Sequence, residues 1–426
     1  MTVESVRSRQ VSLGDKGLPP EVAGLSVAEC AARGYNVLAG DVPFPVCVLR
    51  QSALVHNRVT MREYTARMGV KLAPHGKTTM SPQLMREQLA DGAWGITCAT
   101  PAHLFAYRSV GIPRILYANQ LVDPVAIQFV LDELARDEQF EFVCLVDSVA
   151  TIDILSQALS ARRLARPLDV FIELGIPGGR TGVRRVQDAV SLGRHLQRNA
   201  PLLRLRGVEA FEGIVGQPSD EADEVVDQLL RNLVETLAAL RNEKLMAVPE
   251  PIISVGGSAF FGMVAARLRN ASLAAEIVLR SGCYITNDHG MYEQAQRAEM
   301  ERGQLALSAP LQPALEVWAY VQSRPEPGLA ILTVGKRDIS YDVELPIPIK
   351  WAPRNARTAQ KLDADCKIAS LNDQHARLLL PERHPLAVGD RVGLGCSHPC
   401  TTFDKWKYIY RVDDGYTVTD LITTLF

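Results

Sequence analysis

Lys77 stands in the segment Leu72-Ala73-Pro74-His75-Gly76-Lys77-Thr78, where an apolar run breaks at a proline and gives way to small and polar residues. A lysine just beyond the C-terminal end of a barrel strand points into the mouth where such folds keep their active sites. Partly desolvated, its amine loses the proton more readily and can form a Schiff base with an aldehyde. An ordinary solvated loop lysine is the other reading of the residue taken alone. A second kind of chemistry lies in Cys396-Ser397-His398-Pro399-Cys400. Residues two apart in extended chain face one side, so His398 and Cys400 can offer an imidazole nitrogen and a thiolate to one ion. That is half of a zinc site. A structural zinc takes four protein ligands, and the sequence holds no second Cys/His pair of the usual spacing, so positions would stay open for water or substrate. A core histidine beside a buried cysteine is the alternative.

Three further features bear on an anionic ligand. Gly256 and Gly257 follow the run 252–255, and glycines there let backbone N–H groups approach a phosphate at the start of a following helix. A plain turn would use the same residues. Tyr284 could donate its hydroxyl to that phosphate or sit in a core. Arg180 could lie close to the bound group or in a surface ion pair.

The elements that must carry these residues are short β-branched runs alternating with segments of helical period. The runs are 46–49, 70–73, 94–98, 115–117, 142–146, 170–174, 205–209 and 252–255. Eight continuous apolar strands, each followed by a helix-length crossover, predict a parallel sheet closed into a (β/α)8 TIM-type barrel, an α/β fold; a doubly wound open sheet is the runner-up. Beyond Lys77, Ser81 can cap a helix with Pro82 at its first position, and Gly92 ends it. From about residue 276 the helical period gives way to alternating, turn-rich sequence. The division expected is therefore a barrel over 41–285, a mostly antiparallel β domain over 286–426 carrying the metal pair, and residues 1–40 packed on that β domain.

The chain of 426 residues is 47% hydrophobic and 22% charged, enough to bury a large core, and 46 basic against 48 acidic residues give no footprint for nucleic acid or an anionic membrane. The eight cysteines are scattered and several lie in apolar runs, which reads as reduced thiols in a cytoplasmic protein. Residues 1–20 hold no apolar core of a signal sequence, and no run approaches the roughly 18 apolar residues of a membrane span.

The segments Pro74-His75-Gly76-Lys77-Thr78 and Gly92-Ala93-Trp94-Gly95-Ile96-Thr97-Cys98 closely resemble the start of the D-serine dehydratase and D-threonine aldolase group of alanine-racemase-like enzymes. Glu173-Leu174-Gly175, Arg180-Thr181-Gly182, Ser254-Val255-Gly256-Gly257-Ser258 and Arg280-Ser281-Gly282-Cys283-Tyr284 extend the resemblance along most of the chain. The resemblance implies pyridoxal phosphate held by Lys77, with His75, Arg180, Gly256, Gly257, Ser258 and Tyr284 around it, and a divalent metal, zinc for choice, on His398 and Cys400. It implies a lyase acting on 3-hydroxy-D-amino acids, a dehydratase rather than an aldolase because the aldolase branch tends to His-x-Asp. It also implies a homodimer in which the β domain of one subunit closes the barrel mouth of the other. A non-catalytic pyridoxal-phosphate carrier is the alternative from another class, and such relatives lack the region 290–426. The chain departs from the pattern at Gly76, where many relatives have alanine, a change expected to be harmless, and at Phe211, where a tyrosine is expected.

Overall fold

The computed structural model describes residues 3–162, 164–271 and 273–426. Its first strand, β1 (Val46–Arg50), belongs to a C-terminal sheet, and the next eight, β2 (Lys71–Leu72), β3 (Ile96–Cys98), β4 (Arg114–Gln120), β5 (Glu141–Val146), β6 (Leu168–Leu174), β7 (Leu203–Ala210), β8 (Ile252–Ser254) and β9 (Glu276–Leu279), form a parallel sheet. Their order is β2-β9-β8-β7-β6-β5-β4-β3. The two ends meet where Trp94 N donates to Leu72 O at 2.7 Å and Thr97 N to Pro74 O at 2.9 Å, so the sheet curls onto itself. Ala73, Leu116, Val143, Leu145, Phe171, Ile252 and Val278 fill the interior as a cluster of their own. The other face of each strand packs against the surrounding helices, which is why these runs are apolar on both sides.

The number of barrel strands is as expected, but the membership differs by one at each end. The run at 46–49 pairs antiparallel with the strand Leu315–Glu326 and parallel with Tyr408–Val412. The eighth barrel strand is β9, expected to begin the turn-rich region. Both are short, fully buried apolar runs, and periodicity alone does not say which sheet takes such a run. Two corrections follow. The N-terminal part that packs with the C-terminal sheet extends through residue 50, with Val11, Val22, Val27, Val37, Val46 and Val48 sharing a core with Trp318 and Tyr410. Gly256 and Gly257 follow the seventh barrel strand, not the eighth.

The helix after the Lys77 turn is Pro82–Ala90, capped by the Ser81 side chain and opened by proline. Its Gln83 donates to Leu421 O at 3.0 Å, so the last strand of the C-terminal sheet, Val418–Thr423, docks beside it. This contact, with Leu425 N donating to Met80 O at 2.9 Å, joins the second domain to the barrel beside the Lys77 turn.

Candidate functional site

A cavity of about 210 Å³ at the barrel mouth gathers His75, Lys77, Gly257 and Ser258 from the barrel with His398 and Cys400 from the C-terminal domain. Residues more than 300 positions apart thus line one space in a single chain. Lys77 rides on a 3-10 turn, Gly76–Thr78, that directly follows β2 and Pro74. The turn is oriented by His75, whose Nδ1 accepts from Lys77 N at 3.4 Å. Burial, followed by the nearby charge of Lys77, pushes the His75 imidazole well below its ordinary range, so it serves as a neutral acceptor.

The glycine pair does something other than expected. The buried Glu212 carboxylate accepts from both Gly256 N, at 3.2 Å, and Gly257 N. Those N–H groups, predicted to face a phosphate, are therefore occupied by a side chain from the loop after β7. Ser258 is the residue of this turn with a hydroxyl at the cavity; its Oγ accepts from Cys283 N at 3.2 Å, leaving its own proton to donate. Arg180 is exposed and stacks its guanidinium over the Phe211 ring, 4.9 Å from the centroid, at the rim of the cavity.

Tyr284 is turned away. It lies in the 3-10 turn Cys283–Ile285 and lines a different cavity with Arg58, Gln88 and Asp91, and its phenol is bonded to Gln88. The neighbouring Cys283 faces the Lys77 cavity instead. A tight turn exchanges faces within one residue, and the spacing to Arg280 does not reveal which side chain looks inward. The phenol that does reach the cavity is Tyr292, at the start of helix Met291–Glu301, where it is bonded to Cys283.

Arg280 also lines the cavity, almost wholly buried. Its guanidinium meets Glu209 at 2.6 Å, Ser254 Oγ at 2.9 Å and Ala210 O at 2.8 Å. Burial pushes the Glu209 carboxyl up to about 8 even beside this cation. The guanidinium thus reaches the cavity wall already held in place by Glu209, Ser254 and the Ala210 carbonyl. Arg280 was recognisable in its motif, but nothing in the spacing gave it a role, and Glu209 read only as the end of a strand.

On the opposite wall, His398 Nδ1 is hydrogen-bonded to Asp342 Oδ2 at 2.6 Å, and Thr401 Oγ1 donates to Asp342 Oδ1 at 2.7 Å. A carboxylate on one ring nitrogen sets the tautomer that leaves Nε2 as a lone-pair donor. Asp342 lies 56 residues before its partner, too far for motif spacing to find. Cys400 Sγ lies 3.7 Å from Cys283 Sγ; burial raises the Cys283 thiol, while hydrogen bonding from Cys283 holds Cys400 below the ordinary thiol value.

Residues 49–275 match the model of the alanine racemase N-terminal domain, and residues 314–412 that of the putative serine dehydratase domain. The chain belongs to the alanine-racemase-like family. Within that family it groups with the D-serine dehydratase and D-threonine aldolase branch, and it is an enzyme of the pyridoxal-phosphate-dependent lyase kind. It is 29% identical to a D-threonine aldolase of Arthrobacter over 92% of this chain and 95% of that one. It is also 29% identical to the D-threo-3-hydroxyaspartate dehydratase of Delftia over 57% of this chain and 61% of that one. A solved D-threonine aldolase from Filomicrobium marinum superposes with a TM-score of 0.75 over 92% of this chain and 97% of its own, at 24% identity. The Delftia dehydratase superposes with a TM-score of 0.72 over 92% and 99%, at 22% identity. Its solved forms include a histidine-to-alanine variant and a metal-free cysteine-to-alanine variant whose positions are two apart.

The residues present fit the family's cofactor. The cavity wall is a cradle in which a Cβ on Gly257 would come within 3.1 Å of the Phe211 ring and 3.2 Å of Glu212 Oε1, and Lys77, Ser258 and Arg280 surround it. For a divalent ion, the donor chemistry of an imidazole backed by a carboxylate and a thiol of lowered proton affinity suits a borderline-soft metal such as zinc. Among the described residues, no three His, Cys, Asp or Glu side chains stand together in ligand geometry.

Proposed function

We propose that this protein is a pyridoxal-phosphate- and divalent-metal-dependent dehydratase of 3-hydroxy-D-amino acids such as D-serine, releasing a 2-oxo acid and ammonia. One observation carries the reading: Lys77 shares a cavity with a histidine and a cysteine two residues apart. When bound, pyridoxal phosphate supplies an electron sink for charge at Cα and a divalent ion supplies stabilisation for a departing hydroxyl. In this reading Lys77 holds the cofactor and its Nζ takes the α-proton. His75 keeps the Lys77 turn oriented as a neutral acceptor, Ser258 donates to an anionic group, and Arg280, fixed by Glu209, presents its guanidinium beside the cofactor. Arg180 closes the rim over Phe211. His398 and Cys400 are the metal ligands, with Asp342 fixing the imidazole.

The dehydratase reading is supported by the serine dehydratase domain match over 314–412 and by the paired histidine and cysteine positions of the Delftia enzyme. Retro-aldol cleavage of D-threonine is the second reading, favoured by the broader coverage of the Arthrobacter aldolase. Eight free cysteines accord with a cytoplasmic setting, which we include in the proposal together with a homodimer. None of the described helices is long and apolar enough to cross a membrane. Because His398 and Cys400 come from the same chain as Lys77, the metal pair itself calls for no partner subunit.

Incubation of the zinc-loaded holoenzyme with D-serine is expected to yield pyruvate and ammonia, and D-threonine to yield 2-oxobutyrate. Chelation should abolish both and leave the cofactor absorbance intact. Glycine and acetaldehyde from D-threonine, with no ammonia, would establish the aldolase reading instead; full turnover by metal-free protein would remove the metal from the mechanism.

A further inference from the structure

Glu212 is fully buried, and a buried carboxylate is costly unless its oxygens are matched. Here backbone matches them: Oε2 accepts from Gly256 N at 3.2 Å and Oε1 from Gly257 N. Two successive N–H groups can converge on one carboxylate because Gly256 sits at φ +97°, a left-handed conformation that glycine enters freely. Hydrogen bonds to an ionised acceptor are roughly twice as strong as neutral ones, so this turn is firmly fastened to the loop after β7. The residues that follow it reach the cavity. Ser258 and Ala259 both line it, and Ser258 Oγ, accepting from Cys283 N, keeps its own proton to donate. Among the described residues, neither Ser258 N nor Ala259 N donates to a protein acceptor. A second buried carboxylate holds the far end of the same segment. Glu299 accepts from Gly262 N at 3.3 Å and Met263 N at 2.8 Å, at the start of the helix Phe261–Asn270, and lies outside the cavity lining.

We propose, resting on the cofactor reading given above, that Glu212 is a positioning residue for the cofactor's phosphate: its carboxylate braces Gly256 and Gly257, and so holds Ser258 and the N–H groups after it where they meet that phosphate. The negative charge of Glu212 suits no direct contact with an anion; it acts through the turn. A neutral amide cannot replace it. Glutamine keeps one oxygen and exchanges the other for an NH2 group, which would face a backbone N–H. One of the two bonds is then lost, and the turn loosens immediately before Ser258. The same loop supplies Phe211, Gly213 and Gln217 to the cavity wall, so the Glu212 bonds also tie that wall to the turn.

Titration of the cofactor-stripped full chain with pyridoxal phosphate and with pyridoxal, each followed by imine absorbance, tests this. Both aldehydes need Lys77, but only one needs the turn. In Glu212→Gln the affinity for pyridoxal phosphate is expected to fall at least about 10-fold while that for pyridoxal stays within about 2-fold. Glu299→Gln disturbs a similar buried pair of bonds away from the cavity; it should lower the melting temperature and leave the ratio of the two affinities unchanged. If the glutamine variant folds poorly, Glu212→Asp keeps the charge on a shorter arm and should show the same selective loss to a smaller degree, with pyridoxal binding to certify each sample. Affinities that fall together, or do not change, would overturn the proposal and leave Glu212 a support of the fold. Tighter binding of pyridoxal phosphate by Glu212→Gln would overturn it in the other direction, because the carboxylate would then occupy the phosphate's place and not build it. If the natural protein held pyridoxal as tightly as pyridoxal phosphate, the phosphate site itself would be gone, and an imine with neither would remove the cofactor reading.

Discussion

The two walls of the cavity are held in place by different forces. On the barrel side the chain is tied by its backbone: His75 N donates to Arg280 O at 3.2 Å, Ala73 N to Leu279 O at 2.8 Å and Thr97 N to Pro74 O at 2.9 Å, so the Lys77 turn is locked between its neighbours. On the C-terminal side, His398 and Cys400 flank the start of the short helix Cys400–Phe403 and are oriented chiefly by side chains, Asp342 for one, Cys283 and Thr78 for the other. A backbone-built wall tolerates exchange of most side chains apart from the one that does chemistry. A wall built from side chains transmits each substitution to the groups it presents.

The largest effect should therefore come from Lys77 itself. Lys77→Ala is expected to abolish the borohydride-trappable cofactor label and to lower turnover by at least about 10³-fold, with the fold intact by circular dichroism because the turn is held by backbone bonds. Peptide mapping that placed the label on another lysine would break the assignment.

That wall was also the more legible one. Pro74 ends a strand, Ser81 and Pro82 open a helix, and the turn between them has few residues with which to present a reactive group. The spacing of two suggests an extended pair, whereas Pro399 is helical and Cys400 opens a short helix, yet His398 and Cys400 both line the cavity. What escaped was whatever depends on distant chain or on one residue of frame. Asp342 and Glu212 act through tertiary contacts across 56 and 44 positions. Cys283 and Tyr284 exchange inward and outward roles inside a 3-10 turn. The two runs 46–49 and 276–279 traded sheets because a continuous apolar strand suits a buried position in either one.

A moderate effect is expected at Asp342. Asp342→Asn keeps the shape of the side chain and can still accept from one imidazole N–H, but it removes the negative charge that backs His398. Metal affinity should fall roughly 10–100-fold, read by chelator competition, while cofactor absorbance and the Lys77 label stay unchanged. If Asp342→Asn and the natural protein hold zinc equally well, the C-terminal wall is stiffer than its side-chain hydrogen bonds imply, and the contrast between the two walls weakens.

The smallest effect sharpens the same contrast from the barrel side. Alanine at position 76 looks harmless from the sequence, but a Cβ there would lie 2.6 Å from Tyr107 Oη and 2.9 Å from Ile96 Cγ2. Tyr107 is fully buried and its hydroxyl is engaged with Met80 Sδ at 3.5 Å, so the ring has little freedom to withdraw. Gly76→Ala should cost about 1–3 kcal/mol, the usual range for overpacking a filled core, measured as a lowered denaturation midpoint with an unchanged slope. Because the turn is locked by backbone bonds, those that Gly76 O accepts from Thr79 N at 3.3 Å and Met80 N at 2.9 Å included, and none of them needs the space at the Gly76 Cα, Lys77 should still take up the cofactor in this variant. A loss of cofactor binding larger than the loss of stability would mean that side-chain packing under Gly76, and not the hydrogen-bonded backbone, positions the lysine.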